Sequence, residues 1–218
     1  MRIYGNRQLK TLPGQNTRPT AARVREALFN IWQGQISDRC CLDICAGNGS
    51  MGAEALCRGA VKVVGIEKNV IACSIIKQNW QKVATENQQF QIIRGDAIAK
   101  LNVLKNQKFD LIYFDPPYES NLYEPVLNAI ASLELLSPEG KMAVEHNPRF
   151  WKAMEIDGLE IYQEKHYGNT ALTFYRRDIF LEPIKTLEEQ NLDDLLAEAN
   201  ETTEPEVDWG RPMGREIW

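Results

Sequence analysis

Two kinds of apolar pattern take turns along residues 1–177. Short runs with apolar residues at consecutive positions, as in "FDLIYF" (109–114), read as strands buried on both faces, because a half-exposed strand would alternate. Between such runs, apolar residues recur at helical spacing. Taken in order, the pattern predicts a helix after Pro19 and Thr20 carrying Val24, Leu28 and Ile31, then a strand in "CCLDI" that enters a glycine loop. A helix stopping near Gly59 follows, then a strand in "VKVVGIEKN", a helix in "VIACSIIKQNWQKVA" and a short strand in "FQIIRGDA". After a helical or irregular stretch to Gln107 come the strand 109–114 and a helix that Ser120 or Asn121 caps. A strand in "SPEGKMAVEHN" is next, and residues 159–177 read as a hairpin about Gly168-Asn169. Strands alternating with helices at this spacing predict an α/β fold, a doubly wound and mostly parallel sheet with the C-terminal antiparallel hairpin at one edge.

Composition changes this picture little until the charge is divided. The chain has 218 residues, 44% hydrophobic, enough for one well-cored domain with an appendage. It has no apolar stretch long enough to span a membrane, and "MRIYGNRQLK" lacks the apolar core of a signal peptide, so the expectation is a cytoplasmic protein with no membrane partner. The five cysteines show no zinc spacing, and with only two histidines the expectation is reduced thiols and no metal. The net charge of −5, taken alone, discourages nucleic acid as a partner. Yet residues 182–218 hold eleven acids against three bases, a net −8, which leaves +3 on residues 1–181. Residues 1–33 alone carry six bases (Arg2, Arg7, Lys10, Arg18, Arg23, Arg25) against Glu26. A basic arm on a mildly basic domain is compatible with phosphate-backbone contact.

Two motifs carry candidate chemistry. Gly47-Asn48-Gly49-Ser50-Met51-Gly52 fits G-x-G-x-x-G between a strand and a helix, and Glu67, twenty positions after Gly47, is placed for ribose hydroxyls. That much serves NAD and S-adenosylmethionine equally. Asp43 favours the second, since a carboxylate near the loop repels a pyrophosphate but suits a sulfonium and an ammonium. Asp96 in "RGDA" is placed to accept from the adenine amino group, or else caps a helix. The second motif, Asp115-Pro116-Pro117-Tyr118, ends the strand 109–114 at the sheet edge where open α/β folds bind ligands. Exocyclic amines of bases are poor nucleophiles because their lone pair is delocalised into the ring. Asp115 and the Pro116 carbonyl can accept both amine protons and favour a pyramidal nitrogen, while Tyr118 stacks on the base.

At these residues a family can be named. "MRIYG", "TRPTAARVREALFNIW", "LDICAGNGSMGAEALCRGA", "GIEKN", "GDA", "FDLIYFDPPY" and "YGNTALTFY" occur in an order that resembles the RsmD-type methyltransferases, over residues 1 to about 177. Cys45 and Asn48 stand where that family usually has phenylalanine and serine. The resemblance implies the class I S-adenosylmethionine-dependent methyltransferase fold, Rossmann-like. It also implies transfer to N2 of a guanine in 16S rRNA within small ribosomal subunit particles. Carried over by position, Asp43, Ala46, Gly47, Gly49 and Gly52 frame the cofactor, Glu67 takes the ribose, and Asp96 with Ala97 the adenine. Asp115 to Tyr118 hold the guanine, Arg2 contacts RNA, and Arg18, Arg23 and Arg25 contact RNA or the cofactor's carboxylate. The alternatives are a DNA adenine-N6 methyltransferase, against which no inserted target-recognition segment is visible, and a non-catalytic RNA-binding or assembly factor. The expected organisation is a basic arm and helix (1–33), a methyltransferase domain (34–181) and a flexible acidic extension (182–218), in a monomer.

Overall fold

The computed structural model describes residues 1–12 and 19–178. The chain divides into two units, Met1–Leu181 and Glu182–Trp218. The acidic extension, like Arg18, lies outside the described residues.

The elements follow the periodicities closely. A small antiparallel pair, β1 (Arg2–Ile3) and β2 (Arg7–Gln8), precedes α1 (Pro19–Ile31). Then come β3 (Cys40–Ile44), α2 (Ser50–Cys57), β4 (Lys62–Glu67), α3 (Val70–Val83), β5 (Gln89–Arg94) and the short α4 (Ala97–Leu101). The chain continues through β6 (Phe109–Phe114), α5 (Tyr123–Ser132) and β7 (Leu136–His146) into the hairpin β8 (Leu159–Tyr167) and β9 (Thr170–Arg177). The main sheet has seven strands in the order β5-β4-β3-β6-β7-β9-β8, parallel as far as β7 and antiparallel at β9 and β8. β3 pairs with β4 on one side and β6 on the other, so the strand order reverses there. At such a reversal the loops leaving neighbouring strands part and open a crevice.

Both sheet faces are covered, which is why β6 is apolar at successive positions. Leu111 and Tyr113 pack with Val24, Leu28, Phe29 and Trp80, whereas Ile112 and Phe114 pack on the other face with Leu101, Tyr123 and Leu127.

One expectation differs from what is seen. Neither Ser120 nor Asn121 caps α5: the N-cap is Leu122 with no side-chain bond, and the Ser120 N–H turns back to the Pro117 carbonyl at 2.9 Å. The two prolines bend the chain so tightly that Ser120 still belongs to their turn. The first ten residues of the basic arm lie against the domain. Ile3 and Leu9 are buried in the core, Tyr4 N–H donates to Glu54 at 3.1 Å, and Lys10 N–H donates to Asn79 at 2.9 Å.

Candidate active site

The loop after β3 turns sharply, with Cys45, Gly47 and Gly49 all at positive φ (63°, 56° and 71°). Backbone and side chains from neighbouring elements hold it. Ala46 N–H donates to the Ile66 carbonyl at 3.1 Å, and Gly47 N–H donates to Glu67 Oε2 at 2.9 Å. Buried Trp80 on α3 donates through its indole N–H to the Gly49 carbonyl at 2.7 Å, and Asn79 donates to the Asn48 carbonyl at 2.9 Å.

The three glycines of the motif have different tasks. A Cβ at Gly47 would meet nothing within 4 Å, so this residue faces open space, as a backbone that approaches a ligand should. A Cβ at Gly52 would lie 2.2 Å from the Trp80 ring and one at Gly49 2.8 Å from its Nε1. These two glycines make room for an indole as well as framing the loop.

The carboxylates are placed as follows. Asp43, only 3% exposed, accepts from Gly52 N–H at 3.1 Å and so anchors the first turn of α2 behind the loop. Burial pushes its pKa up to about 7, against the lowering effect of the Gly52 bond. Glu67 bridges the loop and α3, its second oxygen accepting from Asn69 N–H at 2.8 Å. Asp96 is exposed, and its Oδ1 accepts from Ala99 N–H at 3.1 Å; it is the N-cap of α4, with Ala97 buried beside it. Cys45 stands among Glu67, Asp115 and Asp43, and burial, helped by these charges, pushes its thiol up to about 12. It is therefore a protonated thiol and no nucleophile. All five cysteines are free thiols.

The Asp115-Pro116-Pro117-Tyr118 turn leaves β6 beside this loop, with Asp115 N–H donating to the Ile44 carbonyl at 3.3 Å. Burial raises the Asp115 carboxyl well above the usual range, and the charges of Glu145 and Asp43 add to the shift. Tyr118 reaches across to the end of β7, where its hydroxyl donates to Glu145 Oε1 at 3.1 Å and lies 3.2 Å from Thr170 Oγ1 on β9. Tyr113 donates to the other oxygen of Glu145. Glu145 is 7% exposed, and burial raises its pKa while the two tyrosine bonds oppose the rise.

Beyond Tyr118 opens a cleft of about 1080 Å³. Arg23, Glu26, Ala27 and Asn30 of α1 line one side, and Tyr118, Glu145, Asn147, Phe150 and residues 167–170 the other. Glu145, Asn147, Phe150 and Thr170 were not singled out in the sequence, because nothing local marks residues that three separate segments bring together. Of the arginines expected to meet RNA, Arg23 is exposed on this cleft and Arg2 is exposed on the N-terminal pair. Arg25 is not available: it is 3% exposed, pairs with Glu54 at 3.3 Å and donates to the Arg2 carbonyl at 2.8 Å. Its position on the buried face of α1, next to Val24, accounts for this. Among the described residues no group of three acids, cysteines or histidines forms a metal cluster, and no helix is long and apolar enough to cross a membrane.

Known proteins resemble this chain. Residues 1–176 match the family described as "Conserved hypothetical protein 95". "Ribosomal RNA small subunit methyltransferase D" of Haemophilus influenzae is 34% identical over 175 residues, 77% of this chain and 91% of that protein. The protein of that name from Escherichia coli is 29% identical over 182 residues, 82% of this chain and 90% of that one. A solved Escherichia coli structure, yhhF, named as a candidate methyltransferase, has a TM-score of 0.72 at 29% identity and covers 82% of this chain and 98% of that chain. With the seven-stranded order, the glycine loop and the Asp-Pro-Pro-Tyr turn at one sheet edge, the chain belongs to the family of ribosomal RNA small subunit methyltransferase D.

Proposed function

We propose that this protein transfers a methyl group from S-adenosylmethionine to the exocyclic N2 amine of a guanine in 16S rRNA of small ribosomal subunit particles. The relatives' names support the coarser part of this, methylation of small-subunit ribosomal RNA. The guanine N2 follows from the resemblance alone, and the observation that supports a base amine as acceptor is the convergence of two loops at the β3–β6 reversal. The glycine loop stands on one side, and on the other the Asp115 turn opens toward a cleft wide enough for a base.

The donor supplies an electrophilic methyl on a sulfonium. Its cradle fits the loop: Gly47 presents open backbone, and Glu67 still has lone pairs for ribose hydroxyls. Asp43, anchored to Gly52, contributes negative charge from behind the loop and no free rim oxygen of its own. Asp96 uses one oxygen as a cap, and the other remains for an adenine amine.

Asp115 and the Pro116 carbonyl accept the two N2–H bonds and so draw the lone pair out of conjugation. When the nitrogen–methyl bond has formed, the surplus proton passes to Asp115, whose raised pKa suits it to hold one. Tyr118 is bonded at its hydroxyl, which leaves its ring face to guide the base. Arg23 at the cleft meets phosphate. For one or two such contacts the affinity for free RNA is low at physiological salt, so a shaped ribosomal surface supplies the rest.

Tritiated methyl transfer to small subunits, naked 16S RNA and DNA side by side tests this, with nucleoside analysis of the product. N2-methylguanosine, and more of it on subunits, is the expected result. Label on DNA adenine alone, or on no nucleic acid, would overturn it. Calorimetry with S-adenosylhomocysteine and NAD separates the donors.

A further inference from the structure

We propose that a second cleft, of about 720 Å³, on the far side of Tyr118 and Phe150 is a nucleobase site for the unstacked neighbour of the methylated nucleotide. The inference rests on the reading above, in which the first cleft takes the target base.

Tyr118 and Phe150 wall both clefts, so together they form a ridge between them. Phe150 is 55% exposed and has no ring partner among the described aromatic pairs, so its ring is open to a ligand on either side. The bond from its N–H to the Asn147 carbonyl, at 3.0 Å, fixes the turn that presents it. The floor of the second cleft is a fixed aromatic pile. Trp151 stacks on Tyr123 at 4.6 Å and 15° and meets His146 edge-on at 4.7 Å, and Tyr123 packs against Phe114 of β6. Such a floor is already ordered before anything binds, so little entropy is lost when a flat ring settles there.

Charge decides which part of a nucleotide belongs there. The walls carry Glu119 and Glu124 against Lys152. Two carboxylates and one ammonium make a poor phosphate groove, whereas aromatic faces with hydrogen-bonding rims suit a base. The cleft falls within the range of about 300–1,000 Å³ typical of small-molecule sites. Continuity identifies the occupant. A single strand whose target base turns into the first cleft must pass the Phe150 ridge, and the next base then lies over the second.

The test uses the full chain and a variant that touches the second cleft alone. Asn121 is exposed on its rim and does not line the first, so Asn121→Trp fills it without disturbing the target-base site. Pentaribonucleotides with a central guanine and 2-aminopurine on one or the other side report stacking by quenching. Quenching is expected for one side only, weakened about tenfold in apparent affinity by Asn121→Trp and by Phe150→Ala. Methyl transfer to naked 16S RNA should lose about tenfold in kcat/KM for Asn121→Trp, chiefly through KM, with S-adenosylhomocysteine affinity unchanged. No quenching with wild type, or full kcat/KM for Asn121→Trp on naked RNA, overturns the second base site. So does a loss confined to assembled subunits, which would make a ribosomal protein the occupant. Failure of the methyltransferase reading looks different: wild type would then transfer no methyl to any RNA, whatever the quenching shows.

Discussion

The two sides of the sheet crevice are built from different materials. On the glycine-loop side the bonds that hold the turn end on main chain: Trp80 and Asn79 donate to the Gly49 and Asn48 carbonyls, and Asp43 and Glu67 accept from the Gly52 and Gly47 N–H groups. On the Asp115 side main-chain bonds from Asp115 to Ile44 and within the proline turn are joined by ties from side chain to side chain, Tyr113 and Tyr118 to Glu145, and Tyr118 to Thr170. Backbone scaffolding makes a cradle of fixed shape, suited to a ligand that is the same in every turnover. Hydroxyls and carboxylates from three segments make a surface that reads a particular substrate. Each side should therefore fail in its own way.

The largest effect is expected at Asp115. Asp115→Asn keeps an acceptor oxygen but adds a competing donor and removes the proton sink. Turnover on ribosomal RNA should fall about 100- to 1,000-fold, the scale of losing one preorganised transition-state contact. Calorimetric affinity for S-adenosylhomocysteine should stay within about threefold. A comparable loss of donor affinity would erase the division between the two sides.

Gly52→Ala breaks the other side. Its Cβ would stand 2.2 Å from the Trp80 ring and 2.9 Å from Val63, so the buried indole must shift. Overpacking of this kind costs about 1–3 kcal/mol. For a chain of this size a melting temperature lower by roughly 2–12 °C follows, together with weaker donor binding. An unchanged melting curve would show that the indole moves freely and that the cradle is not rigid.

Asp43 sharpens the comparison through pH. With a folded pKa of about 7 against an ordinary 3.8, the folded protein binds the extra proton between those values. Stability from this group therefore falls as pH rises from about 4 to about 7 and is flat above. A cationic donor favours the ionised form, so donor affinity should rise about tenfold between pH 6 and pH 8. In Asp43→Asn, which keeps an oxygen toward Gly52 N–H, that rise should vanish in calorimetry across the same range.

The smallest effect concerns the exposed arginine. Arg23→Gln should weaken RNA binding a fewfold and reduce the salt slope by about 0.7–0.9, one phosphate contact, without touching donor affinity. Arg25→Gln should do the reverse, lowering thermal stability because buried Glu54 keeps only Arg58 as an ionic partner, and leaving the salt slope alone. An equal salt effect from both would contradict their opposite burial.

The same division governs what the sequence discloses. Strand and helix order was legible because consecutive apolar runs and helical spacing both follow from burial on the sheet faces, and the hairpin from Gly168-Asn169. The glycine loop was legible because backbone conformation leaves its mark in local spacing. Glu145 and Thr170 were not, since a carboxylate in "VEHN" and a threonine in "NTAL" acquire meaning only when β7 and β9 pair. Arg25 misled because counting bases along a segment ignores which face of α1 each occupies. Asp96 was open between two tasks in the sequence, and the Ala99 bond shows that it performs at least the cap.

Trp80 gives the protein a built-in optical gauge. Its indole is wholly buried, its N–H is bonded to the Gly49 carbonyl, and its ring fills the space beneath Gly49, Gly52 and Gly65. Any lifting of the glycine loop must loosen that bond and admit water to the ring. With the other four tryptophans replaced, the emission of this indole reports the posture of the loop, with no label attached and before any methyl group has moved.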